Sequence, residues 1–132
     1  MTPKRLVVPV AVMATAALTL AAPPLTQAAA PTAKADVTVT IDNEQTDIFG
    51  TLKSPRRVCK AEREVRLFKQ KGSRGGGDDD HFANDTTDLQ GGQWVWETGQ
   101  LGTEGRFYAK VKATPDCKAD ESPTIRVQRD DN

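Results

Sequence analysis

Residues 106–113 read RFYAKVKA, and apolar side chains occupy every second position of this stretch. Phe107, Ala109 and Val111 are separated by a tyrosine and a lysine. Because successive side chains of a β-strand point to opposite faces, this period of two is typical of a strand with one buried face. Pro115 follows shortly, and proline cannot continue a hydrogen-bonded ladder. The stretch therefore predicts a half-buried strand that ends near residue 113.

Further strands are predicted before and after this stretch. Residues 37–41 (VTVTI) alternate valine and isoleucine with threonine, and residues 93–98 place Trp94 and Trp96 on a shared face. Four other segments are predicted to be strands: 48–52, 64–69, a short edge strand within 81–86, and 124–128.

Polar and glycine-rich segments separate these strands. Asp42 and Asn43 are predicted to form the turn after the first strand, since both residue types favour turns. Residues 71–80 read KGSRGGGDDD, in which glycines give backbone freedom and charges favour solvation. This segment therefore predicts a solvated loop.

The number and spacing of the strands indicate the fold class. Six or seven short strands are separated by turn signals, and residues 37–128 carry no convincing apolar period of 3.6. We expect an all-β, six- to seven-stranded, Greek-key-like β-sandwich with one disulfide. The side chains expected in its core are Val39, Ile41, Phe49, Val65, Leu67, Trp94, Phe107, Ala109, Val111, Ile125 and Val127.

The N-terminus has the pattern of a secretory signal peptide. Lys4 and Arg5 precede an uncharged, mostly apolar run over 6–33, which ends in small residues. A single membrane-spanning anchor is the alternative, but prolines interrupt the run and it lacks the roughly 20 strongly apolar residues that a span needs. We expect a secreted protein with no transmembrane span after cleavage.

The signal peptide sets the domain map. Residues 1–30 are predicted to be the signal peptide, 31–36 a flexible leader, 37–128 the sandwich, and 129–132 a polar tail. Small residues at the required spacing allow cleavage at three positions, after Ala28, Ala30 or Ala35.

Two cysteines in an exported chain predict one disulfide, and only Cys59–Cys117 is available. Each cysteine lies in a connection between predicted strands, and in a seven-stranded sandwich these two connections lie at the same end. The disulfide is therefore expected to join neighbouring loops on one rim. Closing a loop of about 59 residues stabilises the domain by roughly 4 kcal/mol in the chain-entropy account.

A resemblance to a known group of domains starts at residues 86–96, which read TTDLQGGQWVW, and continues at GRFYA, residues 105–109. The pattern resembles small secreted bacterial β-sandwiches of the immunoglobulin-like or transthyretin-like type, including Cna-B-like and carboxypeptidase-regulatory-like domains. It implies a fold far more than an activity. The matching residues are Thr87, Asp88, Gly91, Trp94, Gly105, Phe107, Tyr108 and Ala109.

The chain departs from these domains in three respects. No peptidase domain accompanies the sandwich, and no LPxTG-type sorting signal follows Val127. Asn132 is the only asparagine near the last predicted strand, so the Lys–Asn isopeptide bond of many Cna-B-like domains is not expected here.

Charge is distributed unevenly along a chain with 18 basic and 18 acidic residues. Residues 53–74 carry nine basic and two acidic residues, whereas 78–88 carry five acidic and no basic ones. The basic block is either a patch for anionic polysaccharide, cell-wall polymer or nucleic acid, or a solvated strand face that the acidic loop neutralises. The second interpretation is favoured, and near-neutral charge without interleaved aromatic residues argues against nucleic acid.

The best binding candidates lie on the rim that carries the disulfide, because loop residues vary without disturbing the core. These candidates are Arg56, Arg57, Lys60 and Lys118. Charge reversal of the first two is expected to preserve folding and remove binding.

Evidence for chemistry is weak. Asp78, Asp80, Asp85 and Asp88, with Asp79, supply oxygen ligands that suit Ca²⁺, but their spacing is not that of an EF-hand and a solvated loop is favoured. A single histidine allows neither a histidine-based metal site nor a Ser-His-Asp triad. No catalytic residue and no cofactor is predicted.

These observations together favour a monomeric, secreted, non-catalytic binding module with an extracellular or cell-envelope partner. Three alternatives stay open: a structural spacer or envelope component without a small ligand, a weak Ca²⁺-binding module that uses the 78–88 loop, and a small secreted hydrolase or inhibitor.

Overall fold

The computed structural model describes Ala21 and residues 33–130. Apart from Ala21, the predicted signal peptide with its cleavage positions Ala28 and Ala30 lies outside the described residues, as do residues 31, 32, 131 and 132. Residues 33–130 belong to one compact unit, Pro31–Asn132. Among the described residues, no helix is long and apolar enough to cross a membrane.

Two antiparallel sheets make up the fold, as expected for a β-sandwich, and the first is called sheet I. Its strands lie side by side in the order β1-β3-β7-β6, and β2 also pairs with β3. The strands are β1 (Thr38–Val39), β2 (Asp42–Glu44), β3 (Asp47–Lys53), β6 (Asp88–Gln90) and β7 (Gln93–Gln100).

Sheet II packs against sheet I through a shared hydrophobic core. Its order is β10-β8-β4-β5, and β9 also pairs with β8. The strands are β4 (Glu64–Lys69), β5 (Asp80–Thr86), β8 (Gly105–Val111), β9 (Asp120–Glu121) and β10 (Ile125–Val127). A short 3₁₀ helix, Arg57–Cys59, lies in the connection from β3 to β4.

All seven predicted strands are present, and β2, β6 and β9 are short additions. The turn predicted at Asp42 and Asn43 is wrong, because both residues belong to β2. The chain turns at Gln45, which has a positive φ of 52°. Asn43 supports the turn from within the strand, since its side-chain amide donates to the carbonyl oxygen of Gln45 at 2.9 Å.

Seven of the eleven predicted core residues are buried, but four are only half-buried: Ile41, Phe49, Trp94 and Ile125. In β3 the inward positions are Ile48, Gly50 and Leu52, so Phe49 faces the other way. The core also contains side chains that sequence reasoning did not place there: Ala35, Val37, Ile48, Leu52 and Trp96.

The inward face of β3 is fixed by a close approach at Gly50. A Cβ atom there would lie 1.9 Å from the carbonyl oxygen of Thr40 and 2.7 Å from Nε1 of Trp96. The indole of Trp96 donates to that carbonyl at 3.0 Å, and the backbone N–H of Thr51 bonds to the Thr40 hydroxyl instead, at 2.8 Å. The hydrogen-bond ladder along this side of β3 is therefore interrupted at Thr40, and the strand that pairs there is divided into β1 and β2.

Thr87 marks the point where the chain passes from sheet II to sheet I. It is fully buried between β5 and β6. Its N–H donates to the Arg63 carbonyl at 2.9 Å, and its hydroxyl accepts from the Arg63 N–H and donates to the Lys60 carbonyl at 2.7 Å. The N–H and the hydroxyl of this buried residue are therefore both hydrogen-bonded, and these bonds fasten the connection 60–63 to the crossover.

Candidate functional site

The predicted disulfide between Cys59 and Cys117 is present, with Cα atoms 5.5 Å apart. It ties the β3–β4 connection to the β8–β9 connection, as expected for loops at one end of a sandwich. Both cysteines are fully buried within the hydrophobic core, so the disulfide is internal and does not lie on an exposed rim. We call this end of the sandwich, formed by these two connections, the stapled end.

Additional contacts make the stapled end rigid. Arg63 donates to the carbonyl of Cys59 at 3.1 Å and to that of Lys112 at 2.7 Å, so one guanidinium bridges both connections. Burial lowers the pKa of Arg63. Ala35, from the predicted leader, pairs with Cys117 through 2.9 Å bonds to the Asp116 carbonyl and the Lys118 N–H. The folded domain therefore includes Ala35.

A small groove opens beside this end, next to the hairpin turn between β6 and β7. Its volume is about 120 Å³. Trp94 is half-buried at its wall, and the Arg57 guanidinium carbon lies 5.8 Å from the ring centroid, within the range of cation–π attraction. We call it the Trp94 groove, and its lining includes Lys53, Ser54, Lys60, Gly92, Gln93 and Trp94.

Three of the four predicted binding residues lie at or beside the Trp94 groove, and the fourth, Lys118, is taken up by an ion pair. Lys60 lines the Trp94 groove, Arg57 lies over Trp94, and Arg56 is adjacent in the chain and half-buried. Lys118 is engaged elsewhere, since its ammonium lies 2.6 Å from Oδ1 of Asp36. The hydrogen bond from Lys118 holds the pKa of the Asp36 carboxyl below its usual value.

Three of the nine basic residues in the block 53–74 are neutralised by ion pairs. Arg66 pairs with Glu64 at 3.2 Å, and Arg74 lies 4.0 Å from Glu121. The acidic loop contributes one pair, between Lys71 and Asp80. Within residues 33–130 the other six basic residues of the block have no ion-pair partner. Arg63 donates to two backbone carbonyls and Lys69 to the Thr103 hydroxyl. The remaining four are Lys53, Arg56, Arg57 and Lys60.

The glycine-rich loop is docked on the outer face of sheet II and is not simply solvated. The Arg74 guanidinium lies 4.1 Å from the Tyr108 ring centroid and donates to the Ser122 carbonyl. Asp79 accepts from the Tyr108 hydroxyl at 2.5 Å and from the N–H of Lys71 at 2.9 Å. Arg74 and Asp79 thus bury Tyr108, which the sequence places on the outward face of its strand.

Titration of these groups reflects the docking. Burial, and then the hydrogen bond and charge of Asp79, raise the pKa of Tyr108 to about 12. Hydrogen bonds from Tyr108 and from two backbone N–H groups lower the pKa of Asp79. The hydrogen bond to Asp80 raises the pKa of Lys71.

The acidic residues predicted as weak calcium ligands are not gathered into one site. Asp80 pairs with Lys71, and Asp85 accepts from the Glu97 N–H at 2.9 Å, which links β5 to β7. Asp78 and Asp88 are exposed. In the part of the chain that the structure describes, no three acidic, histidine or cysteine side chains come close enough to hold a metal ion.

A second and larger cavity, of about 360 Å³, lies on the outer face of sheet II. Its floor includes Phe68, which stacks on Tyr108 with ring centroids 5.6 Å apart. Lys110 lies 5.2 Å above Phe68 and pairs with Glu121 at 3.1 Å. The cations and carboxylates around this cavity largely neutralise one another.

Sequence reasoning missed Trp94 and Lys53 as site residues. The alternation predicts Trp94 in the core, but Trp96 is the tryptophan buried there, and Trp94 lies nearer the hairpin between β6 and β7. The Gly91–Gly92 turn is the sequence signal that could have placed Trp94 at the site. A side chain two residues after a turn lies at the end of its strand, where the core ends.

Neither the protein-family models nor the curated proteins include a match to this chain.

Proposed function

We propose that the protein is a secreted, non-catalytic β-sandwich that binds an anionic extracellular or cell-envelope ligand through its stapled end. One observation carries the proposal: Lys53, Arg57 and Lys60 gather around Trp94 with no carboxylate partner in residues 33–130. Clustered like charges repel one another, and a bound anion relieves that repulsion.

Rigidity of the backbone supports binding at this end. The β3–β4 connection is held by the disulfide at Cys59, by the Arg63 bridge and by Thr87. A ligand that meets a fixed backbone does not bear the cost of ordering it, which leaves more of the contact energy as affinity.

The groove chemistry supports binding without catalysis. No carboxylate or histidine is among the described residues that line the Trp94 groove, so neither a carboxylate nor an imidazole is at hand there as a general base. His81, the only histidine of the chain, is exposed and packs against Phe68 on sheet II at 5.3 Å. A spacer role, the main alternative, gives no reason for unpaired cations around a half-buried tryptophan.

Secretion is supported by two independent features. The first 30 residues have the charge and hydropathy pattern of a signal peptide. The buried disulfide is typical of oxidising, extracytoplasmic compartments.

A charge-matched pair of variants tests the proposal. Arg57→Glu/Lys60→Glu reverses two charges at the groove, and Arg126→Glu/Arg129→Glu reverses two exposed charges near the start of β8, at the other end of sheet II. On columns of dextran sulfate and polyphosphate, the control should elute at higher salt than the groove variant. Equal elution of the two variants, or no retention of the wild-type protein, would contradict the proposal.

A further inference from the structure

We propose that the Trp94 groove holds one ring of an acidic polysaccharide, with the sugar face packed on the indole and its acidic group directed to Arg57 and Lys60. This inference rests on the proposed function and names the ligand class of the same site. It combines an aromatic wall, unpaired cations and a small volume in one place.

The volume limits the ligand to a single small unit. At about 120 Å³ the groove is well below the roughly 300–1,000 Å³ of sites that enclose drug-sized molecules. A long polymer that places one ring in the groove and runs on over the surface satisfies this limit.

The indole of Trp94 is available for stacking. The Arg57 guanidinium carbon lies 5.8 Å from its ring centroid, whereas Arg74 lies 4.1 Å from the centroid of Tyr108. Arg74 is also held by the Ser122 carbonyl, and within residues 33–130 no hydrogen bond holds the Arg57 side chain. Arg57 is therefore free to turn toward an acidic group while a sugar ring takes the face of the indole.

Exposed apolar surface adjoins the groove. Only three large apolar side chains of the described residues are exposed, and two of them neighbour Trp94 or Arg57. Leu89, 58% exposed, is the cross-strand partner of Trp94, and Val58, also 58% exposed, follows Arg57 in the 3₁₀ helix. A purely electrostatic site for small anions would not need such surface, whereas the C–H faces of sugar rings pack against it.

Polar groups complete the complementarity. Gln93 lines the groove, and its side-chain amide offers hydrogen-bond donors and an acceptor for sugar hydroxyls. The Ser54 hydroxyl is already engaged, since it donates to the Asp36 carbonyl at 2.7 Å and accepts from the Arg56 N–H at 3.3 Å. Lys53 and Lys60 supply further positive charge for acidic groups of neighbouring units. A strand of nucleic acid would need several stacked aromatic platforms, and here only Trp94 is available.

Polygalacturonate and polyglutamate separate ring stacking from charge, because both carry carboxylates and only the first has sugar rings. We expect polygalacturonate to bind more tightly than polyglutamate in titration calorimetry, and neutral dextran not to bind. Trp94→Ala should weaken polygalacturonate binding by about fivefold or more and leave polyglutamate binding unchanged. Trp94→Phe should retain most of the affinity, which also controls for misfolding of the alanine variant.

Tryptophan fluorescence gives a second readout. The chain has two tryptophans, and Trp96 is fully buried, so acrylamide quenches mainly Trp94. Polygalacturonate should protect Trp94 from acrylamide, and polyglutamate should not.

The outcomes distinguish this inference from the proposed function. Equal binding of polygalacturonate and polyglutamate, unchanged by Trp94→Ala, overturns the sugar assignment and leaves an anion-binding module. Tighter binding of single-stranded DNA than of any acidic polysaccharide also overturns it. If dextran sulfate binds more tightly than polygalacturonate, the ligand class is still an acidic polysaccharide, and its acidic group is a sulfate and not a carboxylate. No binding to any polyanion overturns both proposals.

Discussion

Removal of the disulfide should lower the free energy of unfolding by about 4 kcal/mol, chiefly because the unfolded chain gains conformational entropy. The perturbation is made in two ways: chemical reduction of the wild-type protein, and the double variant Cys59→Ala/Cys117→Ala. Reduction keeps both sulfur atoms in the core, whereas the double variant removes them. The two results together separate loop closure from packing.

The magnitude follows from the position of the two cysteines. They are 58 residues apart, so the disulfide closes a loop of about 59 residues in the unfolded chain. The chain-entropy relation gives a loss of roughly 14 cal/mol/K, or about 4 kcal/mol at 25 °C. Both cysteines are fully buried, so the alanine variant should lose about 1 kcal/mol more from the voids left by its sulfur atoms.

Urea unfolding followed by circular dichroism measures these changes. Domains of this size are stable by about 5–15 kcal/mol, so the reduced protein is expected to lie near the limit of folding at 37 °C. Its melting temperature should fall by about 16 °C or more. A loss below about 1.5 kcal/mol on reduction would refute the loop-closure argument, and a loss seen only in the alanine variant would assign the stabilisation to packing.

Three further predictions concern other parts of the fold. Gly50→Ala should destabilise the domain by about 3 kcal/mol or more in thermal melts, because its Cβ would overlap the Thr40 carbonyl; a melting temperature within 2 °C, roughly, of wild type would contradict the packing. Tyr108 is the only tyrosine, so absorbance at alkaline pH should show a pKa of about 12 when folded and about 10 in urea. Because folding raises the pKa of Tyr108, its neutral hydroxyl contributes fully to the free energy of unfolding below about pH 10. This contribution is lost as the pH rises from about 10 to about 12. Tyr108→Phe should abolish this dependence, and a folded pKa near 10 would contradict the docking of the loop. The mass of the secreted chain should correspond to cleavage after Ala28 or Ala30, since cleavage after Ala35 removes backbone bonds to the β8–β9 connection.

Side-chain alternation predicted the strands but not always their inward face. In β4 and β8 every second residue is apolar and the opposite positions are mostly polar, so the predicted inward residues are the buried ones. In β3 the sequence IFGTL has adjacent apolar residues and no clear phase. The phase is set by Gly50, whose missing side chain makes room for Trp96 of a distant strand. No local pattern contains that contact.

The candidate site could likewise be predicted only in part, because the position of Trp94 depends on the assembled sandwich and not on local sequence. The sequence places Arg56, Arg57 and Lys60 beside Cys59, and the cysteine count places Cys59 beside Cys117. Alternation also puts Trp94 and Trp96 on one face, but it does not tell which of them lies under the opposing sheet. That depends on where the other sheet ends, which is a property of the assembled sandwich.

Pairing of charges explains why the stapled end, and not the whole basic block, is the better binding surface. The sequence shows a basic segment followed by an acidic one, and this suggests mutual neutralisation. In the folded domain Asp79 and Arg74 are used to bury Tyr108, and Asp80 neutralises Lys71. The acidic loop is thereby held on the outer face of sheet II. Asp79 and Asp80 are committed there, so neither neutralises the cations around Trp94, which stay available for an anionic ligand.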